Sequence, residues 1–232
     1  MLYLYNQSCL DVMRMINDNS VDFIMADPPY GISRNDTFGQ GTGNLSSYTL
    51  NQGDWDVYDL DFITECVSEF KRILKRGGSI IIWYDIWKMG ILKDLLEKNC
   101  LKQIRLAEWI KTNPPPITSN NSYLPNAKEY FVYAAKNTSY KKEWFTATFN
   151  SSYDKGIYEY PIAGKSRIHP TEKPFNLMED IILKHTKPND LVYIPFMGSG
   201  VDISVCMYHK LDVIGSETDQ VYYENILKRL NI

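Results

Sequence analysis

Val21-Asp22-Phe23-Ile24-Met25-Ala26-Asp27-Pro28-Pro29-Tyr30 is the stretch on which the fold turns. Apart from Asp22, its first six residues are apolar, on both faces, which reads as a strand buried on both sides, the kind that a parallel sheet contains. The run then stops on a polar tetrapeptide. Two consecutive prolines fix φ and remove two N–H donors, so acceptors dominate the segment while Tyr30 offers a flat stacking face. Such a pocket suits a planar substrate carrying an NH₂ group: carboxylate and carbonyl take its two hydrogens and the ring lies on the tyrosine. A nucleobase has that chemistry. A Pro-Pro turn after a core strand would look the same locally, so the rest of the chain has to separate the two readings.

Strand and helix patterns alternate outward from this point, which predicts an α/β fold with a mostly parallel sheet. Leu2-Tyr3-Leu4-Tyr5 reads as a short strand, and Ser8 as the N-cap of a helix over 9–16. Phe62, Cys66, Phe70, Ile73 and Leu74 recur at helical spacing. That helix is expected to end in Lys71-Arg72 and Lys75-Arg76, cations that complement its dipole, before Gly77-Gly78. Strands follow over 79–84, 106–111 and 130–135, with a helix marked by Met89, Leu92, Leu95 and Leu96. Asn113-Pro114-Pro115-Pro116 resembles a second acceptor motif, but a proline stands where an aromatic would have to stack, so it reads as a rigid loop. Segment 31–58, with Gly39, Gly41, Gly43 and Gly53 among polar residues, is expected to be a loop and a lid over the pocket, or simple surface chain.

Towards the C-terminus, a helix carries Leu177, Ile181, Ile182 and His185, and 191–194 forms a strand. Phe196-Met197-Gly198-Ser199-Gly200 turns into a helix beginning near Val201, and glycines there let the backbone approach a ligand closely. The next strand ends at Ser216-Glu217. An acidic residue at the tip of the second strand of a βαβ unit is placed to bind ribose hydroxyls.

At 232 residues the chain fits one large domain, and its net charge of −3 argues against a broadly basic nucleic-acid coat. Any nucleic-acid face must be a patch. Residues 136–173 hold Lys136, Lys141, Lys142, Lys155, Lys165 and Arg167 among Trp144, Phe145, Tyr153, Tyr158 and Tyr160, which marks them as the candidate DNA face; a solvated insertion is the alternative. Cys9, Cys66, Cys100 and Cys206 match neither a zinc spacing nor a compact disulfide framework, so reduced thiols are expected. With no long apolar run and no signal pattern at Met1, the expectation is a cytoplasmic protein that touches no membrane.

Asp27-Pro28-Pro29-Tyr30, together with His169-Pro170-Thr171-Glu172-Lys173-Pro174 and Pro195-Phe196-Met197-Gly198-Ser199-Gly200, resembles the DNA amino-methyltransferases. The order of these motifs resembles the β class, a circularly permuted form of the Rossmann-like methyltransferase fold with a doubly wound sheet. The resemblance implies transfer of a methyl group from S-adenosylmethionine to N6 of a flipped adenine in double-stranded DNA, with no metal. It assigns Asp27, Pro28, Pro29 and Tyr30 to catalysis, and Ser8, Cys9, Asp27, Thr171, Lys173, Pro195, Phe196, Gly198, Ser199, Gly200 and Glu217 to the donor. It also places target recognition at 114–165, and allows a homodimer and a cognate restriction endonuclease. Cytosine N4, an RNA base, or a catalytically silent DNA-binding relative are the alternatives. Two departures stand out: Ser8 is often an acid or amide in the family, although it also reads as a plain cap, and Ile194 replaces an acidic residue ahead of Pro-Phe.

Overall fold

The computed structural model describes residues 1–29, 59–114, 124–136, 154–164, 168–169 and 171–232. Tyr30, the 31–58 segment and Lys141, Lys142, Lys165 and Arg167 lie outside the described residues.

β1 (Leu2–Tyr5), α1 (Cys9–Met15) and β2 (Val21–Ala26) open the fold, followed by α2 (Leu60–Ile73), β3 (Leu74–Trp83), a 3₁₀ turn (Ile86–Lys88) and α3 (Met89–Lys98). Then come β4 (Lys102–Lys111), β5 (Lys128–Ala135), β6 (Ile157–Tyr160), α4 (Phe175–His185), β7 (Leu191–Ile194), α5 (Val201–Tyr208), β8 (Asp212–Ser216) and α6 (Gln220–Leu230). The eight strands form one sheet in the order β1-β8-β7-β2-β3-β5-β4-β6. Only β5 runs against its neighbours; every other pairing is parallel.

The two-sided apolarity of β2 has its cause in this arrangement. Phe23 and Met25 face a core built with α4, α5 and α6, while Ile24 and Ala26 face one built with α1, α2 and α3. Helices therefore cover both faces, as parallel strands require. β2 sits beside β7, and the chain leaves the two in opposite directions, from β7 through α5 to β8 and from β2 through α2 to β3. This is the topological switch point of a doubly wound sheet, where a crevice opens outside the carboxyl ends of the strands.

Three expectations need correction. The basic cluster does not all terminate α2: the helix ends at Ile73, and Lys75 and Arg76 already belong to β3. Lys75 is drawn there by the Asp22 carboxylate, 2.7 Å away, and Arg72 reaches back to the carbonyls of Met13 (2.6 Å) and Ile16 (2.9 Å), closing the end of α1. Gly78 lies so close to Asp22 that a Cβ would come within 2.8 Å of its carbonyl oxygen, beside a register shift between Val21 and Phe23. Second, the 114–165 stretch to which the resemblance gives target recognition supplies not only β5, where a strand is expected over 130–135, but also β6, which the sequence does not announce. β6 has only four residues at an edge, too short for a period to show. Third, Lys136, expected on the DNA face, has its ammonium bound by Asn19 Oδ1 (2.7 Å) and the Lys71 carbonyl (2.6 Å), capping α2 at the end of the strands opposite the crevice.

Candidate active site

The donor side of the crevice is assembled by hydrogen bonds between strand ends. Ser216 Oγ donates to the Pro195 carbonyl (2.8 Å), and Met197 N–H to the Ser216 carbonyl (3.0 Å). The Tyr193 hydroxyl donates to the Cys9 carbonyl (3.0 Å), so the start of α1 is fixed against the end of β7. Gly198 and Gly200 take φ of +50° and +73°, a region that side chains disfavour, and at Gly200 a Cβ would also press on Ile226 at 3.0 Å. Glu217 closes this turn: its carboxylate accepts from Gly198 N–H at 2.8 Å and Asp219 N–H at 3.0 Å. Burial pushes the Glu217 carboxyl above its ordinary range, against the pull of those backbone donors.

The other lip is Asp27-Pro28-Pro29 at the end of β2. Asp27 Oδ2 lies 2.6 Å from Lys173 Nζ. That ammonium, on a side chain only 5% exposed, also faces Glu129 Oε2 at 3.3 Å and sits 4.5 Å over the Trp83 ring. Glu129 in turn pairs with Lys111 at 2.8 Å. Burial alone would lower the Lys173 pKa; Asp27 and Glu129 outweigh it and hold the ammonium above the usual lysine range. Burial likewise opposes charge on Glu129, yet Lys173 and Lys111 keep it below the ordinary carboxylate range. The site therefore contains a chain of alternating charges that ends on the predicted catalytic acid.

The His169–Pro174 segment links the two lips. Glu172 pairs with Arg229 at 2.7 Å, and Arg229 donates to the Ser199 carbonyl at 2.8 Å, tying the segment to the glycine turn. Thr171 sits with its hydroxyl 3.0 Å from His169 Nδ1, and the His169 ring packs on Tyr222 at 4.5 Å between centroids. Burial lowers the His169 pKa, which fits a neutral ring that shapes the turn. A cleft of about 360 Å³ opens beside Lys173, bounded also by Glu172, Phe175, Val201, Ser204 and Arg229.

The structure thus brings Asp27, Lys173, Pro195, Gly198, Ser199, Gly200 and Glu217 to the crevice at the strand ends, whereas the Cys9 thiol is buried 3.8 Å from Cys66 and Phe196 packs on Phe62. Ser8 stands there too, but its hydroxyl caps α1 by accepting from Leu10 N–H at 3.3 Å. Lys155 is exposed just ahead of β6. Three side chains that sequence reasoning passed over belong to the site: Glu129, Arg229 and Asp202. The first two gave no local signal. Asp202 did, as one carboxylate inside the apolar run Val201-Asp202-Ile203-Ser204-Val205. Among the described residues no group of three or more His, Cys, Asp or Glu could hold a metal ion, and no helix is long and apolar enough to cross a membrane.

A switch-point crevice with Asp27-Pro28-Pro29 on one lip, and a glycine turn followed by an acidic strand end on the other, is the architecture of a Rossmann-like ligand site. The chain belongs to the DNA methylase family, whose model matches residues 21–229. It is 30% identical over 237 residues to the type II methyltransferase M2.MboI of Moraxella bovis, covering 95% of this chain and 84% of that protein. To the type II methyltransferase M2.LlaDCHI of Lactococcus lactis subsp. cremoris it is 29% identical over 245 residues, covering 98% and 88%. Among solved structures, the M1.HpyAVI–SAM complex superposes with a TM-score of 0.74 at 23% identity over 100% of both chains. The cytosine-N4-specific PvuII DNA methyltransferase gives 0.75 at 17% identity, covering 98% of this chain and 86% of that one. At these identities the two structures speak for the fold alone.

Proposed function

We propose that the protein methylates N6 of adenine in duplex DNA, taking the methyl group from S-adenosylmethionine. The observation that carries this reading is the Asp27 carboxylate at the switch point, held by a buried lysine on one oxygen and followed by two prolines. The donor, when bound, supplies an electrophilic methyl on a sulfonium. The residues present suit it: two glycines in left-handed conformation open the turn, Glu217 stands where ribose hydroxyls would be met, and the carboxylates of the crevice complement a cation.

The chain's own part in the reaction is to prepare the amine. A flipped adenine, extruded at a cost of about a few kcal/mol, stacks on Tyr30 and gives its amino hydrogens to Asp27 and the Pro28 carbonyl. Those acceptors draw the nitrogen out of conjugation with the ring and raise the density of its lone pair. Lys173 holds one oxygen of the carboxylate at 2.6 Å and fixes its orientation, so it serves as a positioning residue. Ser-Pro-Pro-Tyr is the more usual pattern for cytosine N4, so Asp27 favours adenine.

A duplex-DNA substrate supports a reading in which the work is done in the cytoplasm, at the nucleoid. The type II names of its relatives support a partnership with a cognate restriction endonuclease, and a homodimer is the assembly to test. Incubation of duplex DNA with radiolabelled S-adenosylmethionine, followed by digestion to nucleosides, tests the reading: label is expected in N6-methyl-2′-deoxyadenosine. Label in the cytosine derivative would favour the N4 alternative, and binding of donor and DNA without transfer would favour the silent relative.

A further inference from the structure

Ile194 ends β7 without the acid that the resemblance leads one to expect there, and its apolar side chain lies in the core shared with Val201, Ile203 and Val205 of α5. A carboxylate stands within the same layer that no role described above uses. Asp202, in the first turn of α5, is 8% exposed, and its Oδ1 has no hydrogen-bond partner among the described residues. Leaving a carboxylate oxygen buried without a partner is costly, and native proteins rarely keep one that nothing ever satisfies.

The charged groups that act on it are those of the crevice. Asp27, from the end of β2, repels it, and Lys173, from the segment ahead of α4, attracts it; Cys206, one turn along α5, feels its charge. Burial first and the Asp27 charge second raise the Asp202 carboxyl to about 7, with Lys173 opposing. Lys173 is already shared between Asp27 and Glu129, so the Asp202 carboxylate has no cation of its own among the described residues. A second cation would complete the crevice.

We infer that Asp202 receives the ammonium of the donor's methionine end, supplying from α5 the carboxylate that the resembled family presents ahead of Pro-Phe. This rests on the donor being S-adenosylmethionine. The acid has moved from the strand end to the helix behind the glycine turn, and Ile194 fills the vacated position with core. Asp190 cannot take the part, because it lies ahead of β7, at the end of the strands opposite the crevice, where it accepts from Lys187 N–H.

Calorimetry on the intact protein tests this with two ligands. S-adenosylhomocysteine carries the amino-acid end; 5′-methylthioadenosine keeps the nucleoside and lacks that end. Asp202→Asn is expected to weaken the first roughly tenfold, the loss of one charge-assisted contact, and to leave the second unchanged. The double variant Ile194→Asp with Asp202→Val is expected to recover most of the loss. Equal weakening of both ligands would reduce Asp202 to a structural residue, and unchanged S-adenosylhomocysteine binding would overturn its role. Should Asp202→Asn not fold, Ile194→Asp alone decides: with Asp202 in place a second acid adds no affinity, and tighter binding contradicts the inference. If the wild type binds neither ligand, the donor assignment itself fails.

Discussion

Lys173 donates to Asp27 across 146 residues of sequence, joining the segment ahead of α4 to the end of β2 at 2.6 Å. The pair is a structural strut as well as part of the site. Lys173→Met would leave Asp27 and Glu129 facing each other without their shared cation. Removing one partner of a buried ion pair costs about 3–5 kcal/mol, so a loss of that order is expected in urea unfolding, with transfer activity falling together with stability. A Lys173→Met protein as stable as wild type would show that the carboxylates are satisfied from elsewhere.

Asp27→Ala is expected to behave differently. Lys173 keeps Glu129 as a partner, so the fold survives, while transfer falls by several orders of magnitude because the acceptor matters most as charge develops on the amine. Tyr30→Phe should be mild and Tyr30→Ala severe. Near-normal turnover of Tyr30→Ala on duplex DNA would remove the stacking role.

Asp202 gives the stability a pH dependence whose sign follows from its raised pKa. In the unfolded chain the carboxyl ionises near 3.8 and in the folded protein near 7. Its contribution is therefore fully present below about pH 4 and is lost as pH rises through 7. Without donor, Asp202→Asn should match the wild type in thermal unfolding at pH 4 and exceed it at pH 8, by up to a few kcal/mol. A difference that does not grow with pH between 4 and 8 would show that Asp202 is solvated.

DNA binding separates the lysines that sequence alone groups together. Replacing Lys141 and Lys142 by alanine is expected to weaken binding to all duplexes and lower the salt slope by one to two units, with specificity unchanged. Lys136→Ala should leave the slope alone and cost stability, since that ammonium caps α2. An unchanged slope for the first variant would move the DNA face elsewhere.

Much of this was legible in the sequence for a physical reason. Strands buried on both faces, such as Val21–Ala26 with Asp22 as its one polar residue, announce themselves as dense apolar runs, and the glycine turn ahead of α5 follows from what a βαβ unit must do at its tip. What escaped was long-range or short. The pairing of Glu129 with Lys173 and of Arg229 with Glu172 joins distant segments, and no local period encodes it. β6 has too few residues to show alternation, and the helix expected through Arg76 stops at Ile73 because Asp22, far upstream, captures Lys75. Asp202 was visible as a polar residue in an apolar turn, but its meaning depends on what Ile194 lacks.

Sequencing DNA from cells that express the wild-type protein or Asp27→Ala, with modified bases called at single-base resolution, tests the central claim most directly. The account predicts N6-methyladenine at one short recurring sequence in the wild-type sample and none in the variant. Methylation of cytosine, or adenine methylation that survives Asp27→Ala, would contradict it.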